Sequence, residues 1–555
     1  MPETKRQSFL KGAAILAAAS IFVKVAGAVY RIPITMILGD TAYGYFQSAY
    51  SIYSLFLMIS TAGIPVALSR MVSSDAAKGR IKLVKRYFSV ALPAFVIIGA
   101  AAMLVMFFFA DRFAGFMNNS NAANGIRVIA PAVFFSCIVS VYRGYAQGFE
   151  YMIPTAASQV VEVACKAVFG IAAAQILVGR SSELPVVAAG AMTGVTIGLG
   201  LCIPLLVRFK SKLDKGLRLD EDHSELPGHM NVFGQLMKVC IPITIGASFM
   251  TIMAVIDSSV VLGRLQSGLG FSEDEASALY GLYSKCVTIF NLPSALIVPV
   301  SVSVVPAIAA SISRAASESK ASGAITGTGA GSDGSEAKGI MQSAVKLVNL
   351  LAMPASAGIM VLAKPILIAL YTDSRQTAAT IMTILGAAAF FLCLQFITTA
   401  ILQANGFERI TMITFPAGGL SLIILDYFLV GNPNIGITGS PVGTLACYTV
   451  ISVLNIIFIF TRIKDRPKLG AAFAKPFVCA AAMAVVAFAL YRLLDMFIPS
   501  VAGEGRLSTI LCLGATIAVS VAVYLLLVIV TRAITQDDLK LLPKGEKLAK
   551  VLRIK

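Results

Sequence analysis

Fourteen apolar stretches follow one another along this chain, near residues 13–38, 44–69, 87–110, 127–148, 153–178, 185–207, 236–262, 276–312, 345–370, 377–402, 410–430, 437–461, 472–498 and 507–531. Each supplies the roughly 20 apolar residues that a helix needs to cross the hydrocarbon of a bilayer. In that solvent every backbone N–H and C=O must be satisfied within its own segment, which favours the α-helix. The expected fold is therefore an all-α polytopic membrane protein of about fourteen transmembrane helices. Composition agrees, since 13% of the residues are charged and mean hydropathy is +0.84, against about 25% charged in soluble domains. No room remains for a large soluble domain.

The net charge of +17 would suggest nucleic acid in a soluble protein, but no aromatic-plus-basic recognition segment or zinc spacing is present. Topology explains it better. With a cytoplasmic start, 33 of the 45 Lys and Arg fall in or near the tails and even-numbered connections, and 8 in or near the odd ones. That bias is the positive-inside rule, and it puts both termini in the cytoplasm. The first apolar stretch runs past Lys24 and Arg31 to Gly39, too long for a signal peptide, and reads as the first span. The nine cysteines sit inside apolar runs without a CxxC pair and read as small core hydrophobes. Pro65, Pro293, Pro299 and Pro306 in the spans near 44–69 and 276–312 imply bent or broken helices.

An internal echo organises the chain. AQGFEYMI at 146–153 returns as ANGFERIT at 404–411, each closing an inside turn six helices apart, and IPVA at 64–67 returns as VPAI at 305–308. Two six-helix lobes of like orientation follow, residues 1–208 and 236–462, joined by a cytoplasmic loop at 209–235. Residues 463–533 append two further helices, and 534–555 form a basic cytoplasmic tail. The Ser/Gly/Ala-rich stretch 313–340 reads as a disordered cytoplasmic linker. Parallel repeats of this kind are a transporter signature, with the cargo held between the lobes.

Three segments carry a family resemblance: FLKGAAILAAASIFVKVAGAVYRIPITMILGD at 9–40, STAGIPVALSR at 60–70 and YRGYAQGFEYMIPTAASQVVE at 142–162. They resemble the SpoVB/MurJ-type branch of the multidrug/oligosaccharidyl-lipid/polysaccharide exporter superfamily. The resemblance implies a monomeric bacterial plasma-membrane flippase that moves a lipid-linked sugar pyrophosphate, typically lipid II, to the outer leaflet by alternating access. It also implies a place beside the cell-wall synthesis machinery, in peptidoglycan or spore-cortex synthesis, and a groove for the lipid tail on spans thirteen and fourteen. The alternatives are an exporter of another lipid-linked oligosaccharide and a drug/cation antiporter of the same superfamily.

Ionisable groups at bilayer depth cost roughly 2.5–3.5 kcal/mol on insertion scales and mark function by default. Lys24 lies about 18 Å into span one at 1.5 Å per residue, Lys285 at similar mid-depth in span eight, and Arg31 nearer the outer face. By position these three resemble the basic residues lining the family's cavity, and cations are the chemistry that holds a diphosphate. Lys24 and Lys285 are expected to share one water-filled vestibule. Lys166 follows Glu162 by four residues, the favourable order for an ion pair on one helix face, structural or cavity-lining. Arg143 and Glu150 flank the inside turn as a gate or clasp. The resemblance also makes Asp257, Asp426 and Thr444 a candidate sodium site, although a second carboxylate and an Asn on span eleven are missing; otherwise each Asp is protonated or hydrogen-bonded. No other cofactor is expected. An enzyme is not expected either, because the histidines, His223 and His229, fall in the inter-lobe loop and no Ser/His/Asp constellation or metal cluster stands out.

Overall fold

The computed structural model describes residues 9–216, 226–321, 333–463, 466–467, 469–502 and 505–534. Among these residues there is no strand. In chain order the helices are α1 (Phe9–Thr61), α2 (Ile64–Ala77), α3 (Ile81–Phe108), α4 (Ala110–Phe116), α5 (Ala123–Gly148) and α6 (Ile153–Gly179). They continue with α7 (Leu184–Lys215), α8 (His229–Leu269), α9 (Glu273–Phe290), α10 (Leu292–Ala321), α11 (Asp333–Val361) and α12 (Ala363–Tyr371). Last come α13 (Gln376–Ala404), α14 (Glu408–Val430), α15 (Gly439–Arg462), α16 (Leu469–Ala502) and α17 (Arg506–Val530).

Thirteen helical segments among the described residues are long and apolar enough to cross a membrane, and the first of them, Phe22–Ala77, has 56 residues. It holds two spans. Drawn straight, residues 30 and 50 of α1 would stand about 30 Å apart. The rings of Tyr30 and Tyr50 nevertheless lie 5.4 and 4.8 Å from the same Lys166 ammonium, so the helix folds back on itself between them. The turn is at Gly39, with φ 66° and ψ −178°, a region open essentially to glycine alone. A Cβ there would meet nothing within 4 Å, so conformation and not space requires glycine. Gly39→Ala is expected to cost about 1–3 kcal/mol, read as a lower unfolding temperature of the solubilised protein. The fourteen expected spans are recovered this way.

Proline places two further breaks. Pro65 sits in the first turn of α2, just after α1 ends at Thr61. Pro293 follows Asn291, where the stretch expected as one span from 276 to 312 divides into α9 and α10. Proline lacks the amide that would continue the preceding ladder, but suits a first turn. The start of α9 is fixed differently. Ser272 donates its amide (2.9 Å) and its hydroxyl (2.8 Å) to Glu275, whose own amide donates to Ser272 Oγ at 3.3 Å, a reciprocal cap.

The connections are shorter than composition suggested. Of the expected linker 313–340, residues 313–321 finish α10 and 333–340 begin α11, while 322–332 lie outside the described residues. SRAASESKA at 313–321 has three Ala and one each of Arg, Glu and Lys, all residues that extend a helix readily. In the loop expected at 209–235, α7 runs to Lys215 and α8 starts at His229; residues 217–225, His223 among them, lie outside the described residues, as does 535–555 of the tail.

The chain forms two compact units, Met1–Ser284 with Gly431–Pro433, and Lys285–Val430 with Asn434–Lys555. The first unit packs Ile34, Tyr43, Ile126, Met192 and Leu199 into its core. Within it α6 and α7 meet almost without side chains. A Cβ on Gly194 would lie 2.5 Å from Gly170 N and 2.7 Å from Lys166 O, and one on Gly198 would lie 2.9 Å from Glu162 O. Small residues four apart let membrane helices approach this closely. The second unit centres on α11, α13 and α15, with Val348, Ile397, Ile401 and Ile459 buried together. Phe108, Val485 and Val530 stay exposed, as apolar side chains facing lipid do.

Candidate functional site

Helix α6 is the least covered of the candidate spans, yet it carries Ser158, Glu162 and Lys166 at intervals of four, one polar stripe. The backbone of this stripe is held by the glycines of α7. Arg143 of α5 reaches across to it, donating from Nε to Ser158 Oγ at 2.8 Å and from Nη2 to Glu162 Oε2 at 3.0 Å. Here the expected local pair is corrected. Glu162 bonds Arg143 rather than Lys166, and the planar guanidinium, with donors in a fixed fork, meets the Ser158 hydroxyl and the Glu162 carboxylate together. The Lys166 ammonium rests on the faces of Tyr30 and Tyr50, which attract a cation without cancelling its charge.

Arg31 belongs to the same neighbourhood, since it acts electrostatically on Tyr50 together with Lys166 and Glu162. Tyr53 in turn senses Glu162 and Arg143. Lys24 precedes Arg31 by seven residues, two turns on one face of α1, and its side chain is exposed. Of the two residues expected as a gate or clasp at the inside turn, Arg143 alone is bonded there by its side chain. Glu150 is exposed at φ 59°, its amide closing the end of α5 onto Gln147 O at 2.9 Å. The turn is tied instead by Arg143 and by Gln147, whose Nε2 donates to Thr155 Oγ1 at 3.2 Å.

Lys285 departs furthest from expectation. It is 5% exposed, and its ammonium donates to Asp373 Oδ2 at 3.1 Å. Arg375 grips the same carboxylate through Nη2 at 2.5 Å and Nε at 2.9 Å, and the ring of Tyr371 stands 5.9 Å from the ammonium. This cation is sealed against a partner of its own, so a vestibule shared with Lys24 is not what holds it. Asp373 lies in the connection between α12 and α13. Burial alone would raise its pKa, but the hydrogen bonds from Arg375 and the charge and hydrogen bond of Lys285 outweigh burial and hold it at about 2.

A second polar group ties the start of α9 within the first unit. Tyr45 of α1 donates to Asp274, Asn121 Nδ2 donates to the same carboxylate at 3.2 Å, and Glu273 accepts from Ser120 Oγ (2.5 Å) and Asn121 N (3.0 Å). Below it α1 and α9 are in backbone contact, since a Cβ on Gly44 or Gly281 would overlap the carbonyl of Ser277 or Asp40.

The candidate sodium residues are distributed. Asp257 is buried on α8 in the first unit. Asp426 of α14 and Thr444 of α15 are buried in the second, where a Cβ on Gly443 would overlap the Asp426 carboxylate. Among the described residues no three His, Cys, Asp or Glu side chains gather as a metal site.

Sequence reasoning missed Tyr30, Tyr50, Ser158, Asp373 and Arg375. The tyrosines had a signal, as a chain with no Trp places Tyr43, Tyr45, Tyr50 and Tyr53 along one span. Asp373 had none, being 88 residues from its partner.

The model of the family described as polysaccharide biosynthesis protein matches residues 9–312, which include every residue of the α1, α5 and α6 cluster. Stage V sporulation protein B of Bacillus subtilis (strain 168) is 26% identical over 549 residues, covering 97% of this chain and 98% of that protein. Lipid II flippase MurJ of the same organism is 30% identical over 193 residues, 33% of this chain and 36% of that protein. The solved structure of lipid II flippase MurJ in an inward closed conformation superposes with a TM-score of 0.65 at 14% identity, over 93% of this chain and 98% of that one. The fold is shared with it.

Proposed function

We propose a transport function for this chain, which belongs to the polysaccharide biosynthesis protein family. It is a multi-pass membrane protein, and its relatives include one named for flipping lipid II and one for stage V of sporulation. The cargo we assign is a lipid-linked sugar carrying a diphosphate, of which lipid II is the leading example. Transfer runs from the inner to the outer leaflet of a bacterial plasma membrane by alternating access, in peptidoglycan or cortex synthesis, with both termini cytoplasmic.

One observation carries this reading. Arg143 and Lys166 stand on two helices of one unit beside Glu162, which is bonded to Arg143, and Arg31 acts electrostatically on the same Tyr50 that Lys166 faces. A surplus of half-buried cations selects an anion, and forked and point-charge donors match phosphate oxygens. A carrier of cationic drugs would need the opposite sign. Lys24, exposed two turns from Arg31, extends the positive face; Lys285, buried and bonded to Asp373, is left out of it. Asp426 and Thr444, both buried in the second unit, are the residues we propose for a coupling sodium ion.

The test is leaflet transfer of fluorescent lipid II in vesicles containing the purified protein. Expected is protein-dependent transfer that undecaprenyl diphosphate inhibits and a lipophilic cationic drug does not. Inhibition by the cation alone would reject the anionic cargo, and another undecaprenyl-linked oligosaccharide moving in place of lipid II would correct the sugar.

A further inference from the structure

We infer that Glu162 is a tethered substitute for the cargo's own anion, holding Arg143 while the site is empty and yielding it when a diphosphate arrives; the inference rests on the transport reading above. Three features support it. Arg143 and Glu162 are 16% and 30% exposed at their side chains, so neither is sealed from an entering ligand. Glu162 has a cation four residues along its own helix, in the favourable order, yet spends its charge on Arg143 of another helix. Lys166, left to the rings of Tyr30 and Tyr50, has no carboxylate partner among the described residues.

The arrangement therefore divides its cations. Lys166 keeps its full charge for attracting an anion at a distance. Arg143 is masked, and a ligand must displace the carboxylate to use its fork. One carboxylate carries one negative charge, whereas a diphosphate diester or monoester carries two or more and offers several acceptor oxygens, so exchange is favourable once the ligand is seated. The displaced Glu162 swings on its own stem toward the Lys166 side of the stripe. When the cargo leaves, the carboxylate returns and prevents a half-buried guanidinium from standing unpaired, a costly condition in a low dielectric. Glu162 thus weakens binding of the cargo and speeds its release. It is a positioning residue, acting through Arg143.

The measurement is cargo affinity beside turnover in the Glu162→Gln protein, which keeps the shape of the side chain and removes its charge. Undecaprenyl diphosphate and inorganic diphosphate are the two binding probes, and lipid II transfer in vesicles supplies the rate. Expected is at least fivefold tighter binding of both probes and a lower KM with a lower maximal rate. Glu162→Asp, which keeps the charge, should return both parameters toward wild type; if Glu162→Gln does not fold, Glu162→Ala, which also removes the charge, is measured in its place with the same tightening expected. Unchanged or weaker binding in Glu162→Gln overturns the inference while leaving the transport reading intact. Tightening confined to the lipid probe also overturns it, because competition for Arg143 concerns the headgroup. A wild-type protein that binds neither probe removes both the inference and the reading beneath it.

Discussion

Asp373→Ala lowers the stability of the solubilised protein by about 3 kcal/mol, the lower end of what breaking a buried ion pair costs. The loss arises because Lys285, 5% exposed, is deprived of the carboxylate it donates to. Replacing both partners removes the buried ammonium as well, so Lys285→Met combined with Asp373→Ala recovers most of the unfolding temperature. Scanning fluorimetry of the three proteins checks this, and a double variant no more stable than Asp373→Ala would show that the pair is not the source. The same carboxylate gives a pH dependence of definite sign. Its folded pKa, about 2, lies below the value near 3.9 of an unperturbed Asp. Its contribution is therefore fully present above about pH 4 and disappears as pH falls from there toward 2. In Asp373→Asn that acid step is absent.

Lys166→Gln reduces lipid II transfer by about 10- to 100-fold, the equivalent of the 1.5–3 kcal/mol that a hydrogen bond to a charged group contributes. The ammonium sits on Tyr30 and Tyr50 with no carboxylate among the described residues to neutralise it, so its charge is available to cargo. Lys166→Arg retains most of the rate. Transfer assays beside a matched unfolding temperature separate loss of cargo recognition from loss of fold; wild-type transfer by Lys166→Gln would exclude this residue from the site. Lys285→Met, by contrast, should change stability more than the affinity of the protein that survives.

The contrast between these lysines shows what a sequence conveys about such a site. Both sit at mid-depth in an apolar run and look alike in one dimension. What distinguishes them is Asp373, in a connection that folds back onto α9 and leaves no periodic trace. The i,i+4 rule misassigned Glu162 for a related reason, since a local preference worth a few tenths of a kcal/mol loses to a forked donor brought in from α5. Hydropathy read the spans well because solvent imposes them segment by segment. Gly39 and the prolines 65 and 293 likewise marked real breaks, each through its own backbone restriction. Stretch 313–340 was misread at both ends, where a composition of small residues is compatible with loop and helix alike and only the adjoining helices decide.

The bare seam at Gly194 and Gly198 has a bearing on how new specificities arise. Because the two helices touch main chain to main chain there, they must travel as a single plank, and the spacing between Glu162 and Lys166 is locked to it. Selection for a different headgroup therefore has little to adjust on that wall, and variation in cargo among relatives of this architecture should accumulate on the opposing α1 and α5 surfaces.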